Sequence, residues 1–188
     1  MDFRNLEISQ KRRILKNIIK KFNMEPLPFE GGYFIETFRS GKTIPDDNYS
    51  GSKVFHEKKS HLQRSLCTCI IYLITPESFS RLHRLPGEEI FHFYFGDPVT
   101  MLNICESGRS EIIILGNEFE KGETPQHIVA GNCWQGAFLR EGENPVFALL
   151  GTTMSPGFDI NDYESAAGYR DALLKNHPEL TDIIKKLL

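Results

Sequence analysis

The chain has 188 residues, 40% of them hydrophobic and 25% charged, a globular balance in the size range where one domain can close its core without metal or disulfide. A formal net charge of −3 gives no field to hold a polyanion, and no run approaches the roughly 20 apolar residues of a membrane-spanning helix, so neither nucleic acid nor membrane is an expected partner. The opening Met1-Asp2-Phe3-Arg4-Asn5 lacks an apolar run with a small-residue cleavage site, which predicts a cytoplasmic protein.

From Ile8 to Phe22, Ile14, Leu15, Ile18, Ile19 and Phe22 recur at helical spacing. Ser9 is placed to cap this helix, and Lys11, Arg12, Arg13, Lys16, Lys20 and Lys21 form a solvated outer face. Met24-Glu25-Pro26-Leu27-Pro28 ends it, because proline lacks a backbone donor and biases its predecessor away from helical angles. Short aromatic and β-branched runs follow, separated by turn residues. They predict strands at Gly32 to Phe38, Cys67 to Ile74, Ser80 to Leu85, Ile90 to Phe95, Thr100 to Cys105, Glu111 to Leu115, His127 to Val129, Trp134 to Leu139 and Val146 to Met154. Ser40 to Gln63, rich in Lys, Ser, Asp and Gly, reads as a long loop, either a flap beside a site or a hairpin excursion. From Asp162 to Leu188 the pattern is helical again, with Pro178 starting a last short helix that carries Leu180, Ile183, Ile184, Leu187 and Leu188.

Cys67 and Cys69 share one face of a strand and are not expected to bridge, and Cys105 and Cys133 lie in different segments. Four reduced, mostly buried thiols are expected.

The segment from Phe79 to Pro98 resembles the first cupin motif: His83 takes the first His, Leu85 the second, Glu89 the Glu and Gly96 the closing Gly, while Glu77 stands where the opening Gly belongs. Val129-Ala130-Gly131-Asn132-Cys133-Trp134 is similar to the second motif, with Gly131 matched, Val129 in place of Pro and Trp134 in place of the last His. Five blocks in order, Glu30-Gly31-Gly32-Tyr33-Phe34, Phe79-Ser80 with His83-Arg84-Leu85, His92-Phe93-Tyr94 with Gly96-Asp97-Pro98, Gly131 with Trp134-Gln135-Gly136-Ala137, and Pro156-Gly157-Phe158-Asp159, look like one small family of single-domain cupins. That resemblance implies an all-β, double-stranded β-helix (jelly-roll) barrel with helical extensions at both ends, related in fold to sugar-nucleotide epimerases and seed storage proteins. It divides the 188 residues as an N-terminal helix over 1–24, a barrel over 25–160 and C-terminal helices over 161–188, within one domain that pairs as a homodimer.

Two of the four usual cupin metal ligands are absent, so no tightly bound metal is expected, and His83 with Glu89 would hold a divalent ion only weakly. The expected catalytic group is a His83–Glu89 pair, His83 as base and Glu89 orienting it, with Tyr72 as proton donor. Arg81, sharing parity with His83, would bind an anionic group, and Trp134 would fill the barrel or offer a flat face to a ring. Glu36, Gln126 and Gln135 are further ligand-binding candidates, and His92 joins them if a bulge turns it inward, since alternation sends it to the opposite face from Glu89. The expected function is binding of a small polar metabolite, a sugar or nucleotide-sugar derivative, with an epimerase or isomerase reaction. A non-catalytic sensing module and a metal-dependent oxygenase or isomerase stand beside it.

Overall fold

The computed structural model describes residues 3–45 and 63–188, so positions 46–62 of the predicted loop lie outside the described residues. Helix α1 (Ile8–Phe22) leads into strands β1 (Glu25–Pro26), β2 (Tyr33–Arg39), β3 (Thr43–Pro45), β4 (Gln63–Ser65), β5 (Thr68–Ile74), β6 (Ser80–Arg84), β7 (Glu89–Gly96), β8 (Val99–Ile104), β9 (Ser110–Leu115), β10 (Gln126–Val129), β11 (Trp134–Leu139) and β12 (Ala148–Met154). A two-residue strand β13 (Glu164–Ser165) interrupts the predicted C-terminal helical region before α2 (Arg170–Asn176) and α3 (Thr181–Leu187).

The strands form two facing sheets, six-stranded in the order β1-β2-β5-β12-β7-β10 and five-stranded in the order β13-β6-β11-β8-β9, with β3 and β4 paired apart. This is the jelly-roll barrel of the cupin fold, and its neighbouring strands pair antiparallel. Alternation accounts for the layers. Tyr72, Ile74, Phe91, Phe93, Met101, Leu139 and Leu150 point between the sheets and form the inner core. The opposite faces carry separate apolar clusters: Leu73 and Phe147 lie under Ile14, Leu15, Ile18 and Ile19 of α1, and Leu82, Leu102 and Phe138 lie under Leu173, Ile184 and Leu187 of the C-terminal helices. At about 1.5–3 kcal/mol for each fully buried large apolar side chain, these outer layers add to the stability that the interior supplies.

Three expectations are corrected. Glu7, not Ser9, sits at the start of α1, where Gln10 Oε1 accepts the Glu7 N–H at 2.9 Å in a capping box. Lys11 is not on a solvated face: it is buried, and its Nζ donates to Asp97 Oδ1 at 2.9 Å. Asp97 Oδ2 accepts the Val146 N–H at 2.7 Å, so one carboxylate ties α1 to two strand ends. Gly96 makes room for this junction at φ +116°, where a Cβ would run into the Phe147 carbonyl oxygen. The third correction concerns the thiols, since Cys105 and Cys133 form a disulfide while Cys67 and Cys69 stay free. The sheet register explains it: Ile104 pairs with Trp134, so the next residues outward, Cys105 and Cys133, meet.

Candidate functional site

A cavity of about 60 Å³ opens between the sheets, lined by Leu27, Glu30, Phe34, Glu36, Thr68, Ile70, Tyr72, Leu85, Glu89, Thr152, Met154 and Phe158. A two-glycine turn carries Glu30 into it. Gly31 and Gly32 both adopt positive φ, 101° and 73°, and a Cβ on Gly32 would lie 2.6 Å from the Tyr72 ring. Tyr72, fully buried, donates its hydroxyl proton to the Gly31 carbonyl at 2.9 Å and holds this turn. Ser80 Oγ then donates to Glu30 Oε1 at 3.0 Å.

Glu89 begins β7 on the face shared with Phe91 and Phe93, and only 7% of it is exposed. Burial, and next the neighbouring Glu30 carboxylate, push its pKa up to about 7, against the opposing influence of His83, Thr152 and Gln135. Gln135 Nε2, from the facing sheet, donates to Glu89 Oε2 at 2.7 Å. Burial also holds the Tyr72 hydroxyl well above its ordinary value, with Glu30 adding to the effect.

His83 is buried as expected but pairs differently. Its Nδ1 donates to the Arg81 carbonyl at 2.7 Å, which leaves Nε2 as the free ring nitrogen, 3.8 Å from Glu30 Oε2. Its ring stacks on Tyr163 at 5.1 Å, and the Tyr163 hydroxyl is pushed up to about 12 by burial first and then by Glu30. His83 is not among the residues lining the cavity, so the expected His83–Glu89 pair is replaced by two contacts, His83 with Glu30 and Glu89 with Gln135.

Of the other candidates, Glu36 and Tyr72 line the cavity and Gln135 grips a residue that does. Glu36 is held by Arg39, whose Nε and Nη2 donate to its two oxygens at 2.9 and 2.7 Å. Tyr72 directs its hydroxyl proton to the Gly31 carbonyl and so positions the turn that carries Glu30. Arg81 is exposed, because a bulge in the β6–β11 pairing between His83 and Ser80 breaks the alternation that would send it inward. Trp134 faces away from the cavity, since its neighbour Gln135 points in; it packs between the Arg84 guanidinium at 4.6 Å and the Tyr169 ring at 5.0 Å. His92 and Gln126 sit opposite each other on the outer face of the six-stranded sheet, their side chains 3.3 Å apart, and no bulge turns His92 inward. Glu30 is the residue the sequence reading missed, although it stands directly before the glycine pair that the reading singled out.

The donor set does not fit the metal centre of metal-binding cupins. Leu85 gives the cavity an apolar wall at the position of the second His, and Trp134 points out at the position of the last. Among the described residues no three His, Cys, Asp or Glu side chains come together around one point.

The family described as Cupin superfamily (DUF985) matches residues 16–166. A Saccharomyces cerevisiae protein, described as uncharacterized protein YML079W, is 29% identical over 145 residues, 74% of this chain and 69% of that protein. Among solved structures, a hypothetical protein from Leishmania major is similar at 27% identity and a TM-score of 0.75, covering 92% of this chain and 97% of its own. Protein SO0799 from Shewanella oneidensis is similar at 27% identity and a TM-score of 0.72, covering 92% and 95%. Oxalate decarboxylase from Bacillus subtilis shares the fold alone, at 14% identity and a TM-score of 0.50, with 89% of this chain and 38% of that one covered.

Proposed function

The chain belongs to the Cupin superfamily (DUF985) family, and on that premise we propose that its barrel binds a small polar molecule and moves a proton on it, with Glu89 as the acid–base group. The supporting observation is a buried carboxyl, Glu89, that lines the cavity between the sheets and has its pKa raised to about 7. A group poised near neutral pH is present in both protonation states, as general acid–base chemistry needs. Glu89, as the carboxylate, takes a proton from a carbon next to a carbonyl, the bond electrons delocalise into the carbonyl, and Glu89 returns the proton to the opposite face of that carbon once the flattened intermediate has turned over, an epimerase step. Burial, and next the Glu30 carboxylate that Ser80 holds, keep the Glu89 proton affinity high, and Gln135 fixes the orientation of its carboxyl.

The ligand is smaller than the nucleotide sugar suggested by fold analogy. A cavity of about 60 Å³ holds a few non-hydrogen atoms, whereas drug-sized ligands occupy roughly 300–1,000 Å³.

The test is solvent deuterium uptake. Incubating the protein with pools of small carbonyl compounds in heavy water should give carbon-bound deuterium by mass spectrometry, and Glu89→Gln should abolish it. Uptake that survives this substitution removes Glu89 from the role, and ligand binding without uptake leaves a binding module.

A further inference from the structure

We propose that the cavity selects a small organic cation, a short primary amine held by its ammonium group between Glu30 and Glu89; this rests on the reading of that cavity as a ligand site.

The first support is charge. Three carboxylates, Glu30, Glu36 and Glu89, line the cavity, and the lining set contains no basic side chain. Arg39 neutralises Glu36 through two hydrogen bonds, whereas Glu30 and Glu89 have no Lys or Arg partner within ion-pair distance among the described residues. An anion placed there would meet two carboxylates with nothing to balance it.

Hydrogen-bond accounting gives independent support. The donors around the two carboxylates are already committed: Tyr72 hydroxyl to Gly31, Ser80 hydroxyl to Glu30, Gln135 Nε2 and the Thr152 hydroxyl to Glu89, and His83 Nδ1 to the Arg81 carbonyl. The acceptors are not. Gln135 Oε1 is buried with no hydrogen-bond partner and the residue is 1% exposed; His83 Nε2, behind the cavity wall, also lacks a hydrogen bond, with Glu30 Oε2 at 3.8 Å from it. Gln135 Oε1 shares its amide carbon with the nitrogen that grips Glu89, so the open acceptor lies beside that carboxylate. Leaving a buried polar atom unsatisfied costs on the order of 1–3 kcal/mol, so a donor-rich ligand is what this constellation lacks. An ammonium group supplies three donors and no acceptor.

The remaining wall sets the rest of the molecule. Apart from Thr68 and Thr152 it is apolar, made by Leu27, Phe34, Ile70, Leu85, Met154 and Phe158, which suits a short alkyl portion attached to the charged head. The volume of about 60 Å³ suits a head and tail of the size of ethyl- or propylammonium.

The probes are methyl-, ethyl- and propylammonium against acetate, propionate and butyrate, at matched ionic strength, followed by NMR chemical shifts and by thermal stability. The ammonium series should bind at least about tenfold more tightly than the matching carboxylates. Binding should weaken below neutral pH as Glu89 protonates, in a setting where Glu30, His83 and Tyr72 are the other titratable groups facing it. Glu89→Gln and Glu30→Gln should each remove the preference, and because both keep the side-chain shape, circular dichroism distinguishes this from unfolding. Carboxylates binding in place of amines overturns the inference while leaving the cavity as a ligand site. Equal binding of amines by wild type and both variants overturns it too, as does tight stoichiometric uptake of manganese alone at Glu30 and Glu89. Amine binding with no deuterium uptake on any carbonyl compound supports the inference and counts against the proton-transfer reading.

Discussion

Gln135 Nε2 donates to Glu89 Oε2 at 2.7 Å across the space between the two sheets, from β11 of one to β7 of the other. The bond satisfies one oxygen of a carboxyl that burial would otherwise strand, and it presents the group to the cavity. Replacing Gln135 by Leu should cost about 1–3 kcal/mol of unfolding free energy, with the loss growing above neutral pH where Glu89 carries its charge. Urea unfolding of wild type and variant at about pH 6 and about pH 8 checks this.

Glu89 also sets a pH dependence of stability. Its pKa is raised from 4.5 to about 7 in the folded chain, so the unfolded state releases the proton first as pH rises. Its contribution is fully present below about pH 4.5 and is lost as pH rises through about 7. The Glu89→Gln variant should lose this dependence and gain stability over wild type in alkaline solution, by at most about 3 kcal/mol. Equal pH profiles for the two proteins would show that Glu89 titrates normally.

The Lys11–Asp97 pair locks α1 to the six-stranded sheet from a position where both side chains are less than one-tenth exposed. Lys11→Met leaves the Asp97 charge buried without its partner and should cost about 3–5 kcal/mol. Lys11→Met with Asp97→Asn should recover part of that loss, because the buried charge is gone while an oxygen remains for the Val146 N–H. A double-mutant cycle in denaturant measures the coupling.

At Gly32, φ is +73° and the Tyr72 ring lies where a side chain would begin. Gly32→Ala should cost about 1–3 kcal/mol, displace Glu30 and weaken ligand binding. Gly41→Ala, where a Cβ meets nothing within 4 Å, is the control and should change neither.

Thiol titration of the denatured, unreduced protein should count two reactive cysteines, Cys67 and Cys69, and four after reduction. Four without reductant would contradict the Cys105–Cys133 bridge.

The fold was readable because it rests on local patterns. Alternation placed Glu89, Phe91 and Phe93 on one face and His92 on the other, and the glycine-flanked blocks marked the turns. The site was readable only where alternation held. Arg81 was misplaced by one bulge, which cannot be seen in a strand read without its partner. The motif position of Trp134 points it into the barrel, whereas the inward placement of Gln135 requires Trp134 to face out. Glu30 was missed because its approach to His83 and Glu89 depends on a turn packing against Tyr72 and Phe79, contacts of more than 40 residues' separation. The disulfide needed the register of β8 against β11, which cysteine spacing does not encode.

The most direct measurement is a carbon-13 NMR titration of the glutamate side-chain carboxyls, with the Glu89→Gln protein assigning the resonance. A Glu89 carboxyl midpoint near 7, moving to lower pH when ethylammonium is added, is the expected result. A midpoint near 4.5 that ignores the amine would place this carboxyl in ordinary solvent and contradict its assignment as the acid–base and cation-holding group of the barrel.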